Sequence, residues 1–94
     1  MCVMLKVQII SKPGRGQELA QLIQPVSVHN EIDGCSGMEV FTNNTNSDEI
    51  MIIEYWDSVE KHKTFVSGVE KSGGLGKILE LSENVVRNYF IKAD

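Results

Sequence analysis

Apolar residues along this chain fall into two rhythms. From Val3 to Ile10 they alternate, with Val3, Leu5, Val7 and Ile9 facing one way and Met4, Lys6, Gln8 and Ile10 the other, which predicts a strand. Lys12-Pro13-Gly14-Arg15-Gly16 reads as a turn, because proline restricts φ and the glycines admit positive φ. From Gln17 the period lengthens. Leu19, Leu22, Ile23 and Val26 recur at helical spacing, and Pro25 should kink the helix or end its regular part. A bent continuation to about Asn30 and a connection closing at Asp33-Gly34 complete this stretch. Alternation returns from Gly37 to Thr42, and the polar run Asn43 to Asp48 predicts a hairpin loop before a third strand from Glu49 to Trp56. Asp57 and Ser58 offer an N-cap to a second helix, on which Val59, His62, Phe65, Val66 and Val69 form one stripe. Ser72-Gly73-Gly74 breaks it, Leu75, Ile78 and Leu79 suggest a short helical turn, and Val85 to Lys92 is a last strand.

The predicted order is β-α-β-β-α-β. That is a ferredoxin-like α+β fold, one antiparallel sheet with helices on one face, and residues 1–94 form a single domain. The expected helix-facing side carries Val7, Ile9, Met38, Val40, Met51 and Ile53. The expected open side carries Lys6, Gln8, Glu39, Phe41, Ile52, Glu54 and Trp56. A sheet face that mixes polar and aromatic side chains in this way suits contact with another subunit, so a homodimer is expected.

Composition narrows the function. At 94 residues, 41% hydrophobic and 23% charged, the chain has an ordinary globular mix with room for one small core. A formal net charge of −4, with the lysines interleaved with glutamates around Lys61, Lys63 and Lys71, argues against a nucleic-acid surface. The opening Met-Cys-Val-Met-Leu is interrupted by Lys6 and is too short for a signal peptide or membrane span, so a cytoplasmic, membrane-free protein is expected. Cys2 and Cys35 form neither a metal-ligand pair nor a disulfide framework. Ser72-Gly73-Gly74-Leu75-Gly76-Lys77 fails as a phosphate loop, since Lys71 and Ile78 stand where glycine and a hydroxyl residue are needed. Neither a metal nor a bound cofactor is expected.

The segment Ile50 to Ser58 is the most informative. It combines a buried strand, a carboxylate two residues from an indole, and a turn into a helix. Together with Lys12-Pro13-Gly14 and Asp33-Gly34-Cys35-Ser36-Gly37-Met38-Glu39-Val40, the run Ile53-Glu54-Tyr55-Trp56-Asp57-Ser58 resembles the antibiotic biosynthesis monooxygenase domain family over nearly the whole chain. The resemblance implies a dimeric ferredoxin-like fold and a pocket between sheet and helices. In some members it implies oxidation of quinols or polyketide aromatics by molecular oxygen without a bound cofactor. A histidine that members commonly carry nine residues after the motif tryptophan falls here on Phe65, and His62 stands one turn earlier. The haem-degrading branch is disfavoured, because its asparagine, helix tryptophan and haem-ligating histidine fall on Val7, Phe65 and about Leu75.

A cofactor-free oxygenase needs an apolar pocket, a proton acceptor and donors for a developing oxyanion. His62, with an ordinary pKa near neutrality, is the expected proton acceptor, and Trp56 is expected to orient a substrate ring with its N–H toward a substrate oxygen. Tyr55 and Phe65 are expected to line the cavity with them, and His29 and Asn30 form a second polar pair for substrate binding. Plainer roles compete with each of these. His62 could be a helix residue bonded to a carbonyl, Trp56 an anchor of the strand-to-helix turn, and His29 a helix C-terminal cation. Glu54 reads as an interface or sheet-face partner rather than a base. Two functions follow: a cofactor-independent monooxygenase acting on a small phenolic or quinol-like aromatic, or a non-catalytic dimeric module that binds a small ligand or regulates. A polar group reaching into the pocket beside Trp56 would favour the enzyme. A pocket filled by Phe65, Met51 and Tyr55 would favour the module.

Overall fold

In a computed structural model that describes residues 2–27, 32–73 and 75–93, the chain folds as the alternation requires. Strand β1 (Val3–Ser11) leads to helix α1 (Gly16–Ser27). Strands β2 (Cys35–Asn43) and β3 (Asn46–Trp56) form a hairpin. Helix α2 (Val59–Lys71), a short helix α3 (Gly76–Leu81) and strand β4 (Ser82–Ile91) complete the order. The sheet runs β2-β3-β1-β4 with every neighbouring pair antiparallel. Each helix-bearing connection therefore joins two strands that have a third between them, the ferredoxin-like crossover. Helix α1 runs on past Pro25, and its expected continuation to Asn30 lies outside the described residues.

Register decides which side chains meet the helices. Leu5 lies opposite Glu54, Val7 opposite Ile52 and Ile9 opposite Ile50, while Val40 pairs with Ile52 from the other edge. Directly opposed residues share a face. The helix side of β3 therefore carries Ile50, Ile52, Glu54 and Trp56, and Met51, Ile53 and Tyr55 point to the open side. This corrects the parity expected for β3. Four consecutive apolar residues, Ile50 to Ile53, hide which alternate pair is inside. Cross-strand pairing to the all-apolar row of β1 settles it, since a one-residue slip would exchange the faces. The core gathers Leu5, Val7, Ile9, Leu19, Ala20, Ile23, Ile50, Ile52, Trp56 and Leu81.

Two local devices hold the helices to this sheet. Ser58 is extended and its hydroxyl accepts from Lys61 N at 3.2 Å, capping α2. Helix α1 is anchored from outside its own segment. The Asp48 carboxylate, just past the β2–β3 turn, accepts from Gly14 N and Gly16 N, each at 3.0 Å. These bonds, led by the one from Gly14, pull the Asp48 carboxyl below the usual carboxylate range. Gly16 has to be glycine for a steric reason. A Cβ there would land on the Ser47 carbonyl and come within 2.7 Å of the Asp48 Cα, both rigid backbone.

Gly16→Ala should therefore destabilise the domain although alanine is the better helix former, by about 1–3 kcal/mol if the hairpin shifts to relieve the contact. Thermal unfolding should show a melting temperature lower by several degrees, at about 4–8 °C per kcal/mol for this size. An unchanged melting temperature would show that the hairpin end yields freely.

Candidate active site

Between the sheet and helices α2 and α3 lies a partly open cavity of about 120 Å³. Its walls are mostly apolar: Val7, Ile9, Ile52 and Val85 from the sheet, Phe65, Val66 and Val69 from α2, and Ile78 from α3. Three polar residues join them, Glu54 on β3, His62 on α2 and Arg87 on β4. The fold brings these together from distant parts of the chain. Val7 pairs with Ile52 on one side and Arg87 on the other, and Leu5 likewise lies between Glu54 and Tyr89. Of these six positions on one sheet face, Val7, Ile52, Glu54 and Arg87 line the cavity.

Trp56 stands behind that end. It is 0% exposed and packs its ring against His62 (centroids 5.2 Å apart, 64° between planes) and Phe65 (5.5 Å). Its N–H donates to Glu54 Oε1 at 2.9 Å. Full burial of an indole contributes about 2–3 kcal/mol, and its polar edge is satisfied by the Glu54 carboxylate. Glu54 is 8% exposed. Desolvation raises its pKa, opposed by the Trp56 hydrogen bond and by the positive charge of Arg87.

His62 is 5% exposed, and its Nδ1 lies 2.6 Å from the Tyr89 hydroxyl, with the rings edge-on. Burial first, and Arg87 second, lower its pKa to about 4. The imidazole is therefore neutral at physiological pH. It is a weaker base than the sequence suggests, because the cation would lie in a dry site beside a guanidinium. Burial likewise raises the Tyr89 pKa.

The residues expected at this site are thus partly gathered. His62 and Phe65 line the cavity, and Trp56 backs them without lining it. Tyr55 stands on the opposite sheet face, between Met4 and Gly37, and cannot reach the cavity because strand alternation turns it away. His29 and Asn30 lie outside the described residues. The sequence reading missed Arg87 and Tyr89 and underrated Glu54. The alternation Val85, Arg87, Tyr89 in the last strand was the available signal, since β4 lies beside β1 in this topology. No cluster of three or more His, Cys, Asp and Glu side chains suited to a metal occurs among the described residues. No helix there is long and apolar enough to cross a membrane.

This architecture has close counterparts. The sequence model of the antibiotic biosynthesis monooxygenase family matches residues 2–70, and the chain belongs to that family. Among solved structures, a protein from Chloroflexus aurantiacus J-10-fl described as a candidate antibiotic biosynthesis monooxygenase aligns over 100% of this chain and 95% of its own, with 21% identity and a TM-score of 0.81. A variant of SnoaB, a cofactor-independent oxygenase from Streptomyces nogalater, aligns over 99% and 94% with 10% identity and a TM-score of 0.82. Rv0793 from Mycobacterium tuberculosis aligns over 100% and 97% with 14% identity and a TM-score of 0.83. At these identities the structures establish the shared fold. No curated protein sequence matches the chain.

The lowered His62 pKa carries a stability consequence with a definite sign. The unfolded chain binds this proton near pH 6.5, the folded one only near pH 4. Folding stability should therefore fall as pH drops through that window, by at most about 3 kcal/mol at 1.36 kcal/mol per pKa unit. Denaturant titrations at pH 7 and pH 4.5 should show the loss, and His62→Gln should shrink it. An equal loss in the variant would assign the effect to other groups.

Proposed function

We propose that this protein is a cofactor-independent monooxygenase that oxidises a small phenolic or quinol-like aromatic with molecular oxygen. The observation that carries the reading is the convergence of Glu54, His62 and Arg87 at one end of an otherwise apolar cavity. An apolar ligand alone needs no such groups on the wall of its cavity. Membership of a monooxygenase family supports the same reading. The enclosed volume suits one aromatic ring, since a dry cavity of about 150 Å³ accommodates benzene. A larger substrate would extend through the open side.

The reaction balances without an external reductant. A substrate SH2 and O2 give SO and H2O, and the substrate supplies all four electrons that oxygen accepts. Ionising a phenolic hydroxyl makes the ring electron-rich enough to pass the first electron to oxygen. The protein's part is to desolvate the ring, hold its oxygen and stabilise the anion. His62 serves as a neutral imidazole: with Nδ1 accepting from the Tyr89 hydroxyl, its Nε2–H is left to donate to the substrate oxygen. Trp56 acts from behind, holding His62, Phe65 and Glu54 in place.

The open sheet face fits a second copy of the chain. Phe41 (48% exposed) and Phe90 (45%) lie there with Met4, Met51, Ile53 and Tyr55, and the face also carries Lys6 and Glu39 on either side of Ile53. A two-fold axis through such a face can set Lys6 of one copy against Glu39 of the other while the apolar side chains cover one another. The cavity lies on the other side of the sheet and stays accessible.

Oxygen uptake by the purified, metal-free protein across a panel of quinols and hydroxylated aromatics tests the activity. His62→Ala, shown to be folded by circular dichroism, should lose about 10²-fold or more in turnover, the usual cost of removing one group that stabilises a developing oxyanion. Undiminished turnover would remove His62 from the reaction, and no uptake with any phenol would leave a ligand-binding module. Light scattering at micromolar concentration should give about twice the chain mass, and Phe41→Glu should give the monomer, because a charge within an apolar contact opposes association. A parent protein that remains monomeric would dismiss the sheet-face dimer.

A further inference from the structure

We infer that Glu54 is the catalytic proton acceptor of this site, taking the proton from the substrate hydroxyl through its Oε2. This rests on the phenol-oxidising reading and assigns it a base that His62 does not supply. The geometry separates the two carboxylate oxygens. Oε1 accepts from the Trp56 N–H at 2.9 Å, which fixes the carboxylate plane from a side chain that is itself fully buried. Among the described residues Oε2 has no hydrogen-bond partner, yet no buried side-chain oxygen or nitrogen there is left unpartnered. Glu54 is one of the residues lining the cavity, and no described residue occupies the hydrogen-bonding position of Oε2.

The surroundings suit a base that works by turns as anion and acid. Among the described residues, four groups influence Glu54 or feel its charge: Trp56 on its own strand, Arg87 on β4, Tyr89 beside Arg87, and Cys35 on β2. Arg87 makes no ion pair within 4 Å among the described residues, so its guanidinium is not neutralised by Glu54. Burial makes the carboxylate a stronger proton acceptor than an exposed one, while the Trp56 N–H and Arg87 oppose that rise and favour the anion. His62 is the poorer acceptor for the reasons that keep it neutral.

The step is a proton transfer. The phenolic O–H bond breaks, a bond forms between that proton and Glu54 Oε2, and the negative charge moves from the carboxylate to the substrate oxygen. Arg87 stabilises the charge in its new place. Net charge in the cavity is unchanged, which is the economical arrangement where water is scarce. No oxidant is consumed until oxygen receives the first electron.

4-Nitrophenol, whose phenolate absorbs in the visible, tests this without any oxygenase turnover. In weakly buffered solution at a pH one unit below its own pKa, binding to the wild-type protein should produce the phenolate band with no proton released to a pH indicator, because the proton stays on Glu54. In Glu54→Gln, which keeps an oxygen for Trp56, any phenolate band should be matched by released protons, one for one. In oxygen-uptake assays the variant's defect, expected at about 10²–10⁴-fold with weakly acidic phenols, should shrink as the substrate becomes acidic enough to arrive ionised. Three wild-type results would overturn the assignment: a phenolate band with stoichiometric proton release, binding of the neutral phenol with no such band, or no binding of nitrophenols at all. Should the variant fail to fold, the wild-type proton count still decides. Oxygen uptake that survives alongside a failed proton count would remove Glu54 and leave the monooxygenase reading standing.

Discussion

A carboxylate cannot be buried in a small domain unless something answers its charge, and here the answer is an indole N–H two residues along the same strand. The Glu54–Trp56 hydrogen bond closes across one face of β3, because residues two apart in a strand stand side by side. Much else follows from it. Trp56 becomes fully buried with its polar edge satisfied, and its ring then sets the positions of His62 and Phe65 on the first turns of α2. Glu54 is left with Oε1 committed to the indole while the residue lines the cavity. Exchange of Glu54 for an apolar residue would leave the Trp56 N–H orphaned in a dry place, and loss of Trp56 would leave an unanswered charge. The pair thus ties the folding of β3 to the polar end of the cavity.

Helix α2 contributes the opposite kind of constraint. His62 sits within a stripe that is otherwise apolar, and the imidazole is admitted because Tyr89 meets its Nδ1 across the gap between helix and sheet. That contact joins α2 to the last strand of the domain, so the site closes only when β4 has added to the free edge of β1. Arg87 arrives with the same strand. The carboxylate side of the site is therefore assembled by the β2–β3 hairpin, and its cationic side by the C-terminal strand.

Much of the fold was legible from local pattern. Alternation in Val3–Ile10, helical spacing from Leu19 and from Val59, and the break at Ser72-Gly73 each placed an element correctly, because amphipathic period is a direct imprint of two-sided burial. The face of β3 was not legible. Ile50 to Ile53 are all apolar, so either parity satisfies the pattern, and the choice is made by pairing with β1, a long-range fact. That ambiguity put Tyr55 on the helix side and Trp56 on the open face, although Trp56 is also expected at the cavity, and it disguised Glu54 as a sheet-face residue. The site's remaining members, Arg87 and Tyr89, lie more than 30 positions from Glu54 in sequence. Only the order of strands in the sheet brings them together, and local pattern does not contain that order until the topology has been assembled. His62 was visible as a polar residue on an apolar stripe, while the depression of its pKa depended on neighbours that sequence spacing could not name.

The two faces of β3 hold separate trades on one ribbon. Its even-numbered residues, Ile52, Glu54 and Trp56, serve the cavity, and its odd-numbered ones, Met51, Ile53 and Tyr55, form the outer face. Substitutions can vary one set while leaving the other intact, so ligand preference and surface character can drift independently across relatives of this chain. Insertions and deletions have no such freedom. One residue added to β3 between Glu49 and Ile50 would turn the carboxylate and the indole outward and carry Tyr55 inward, changing both faces in a single event. The strand is thus tolerant of changed letters and intolerant of changed length, and length variation among relatives should collect instead in the Asn44-Thr45 turn, where an extra residue alters neither face.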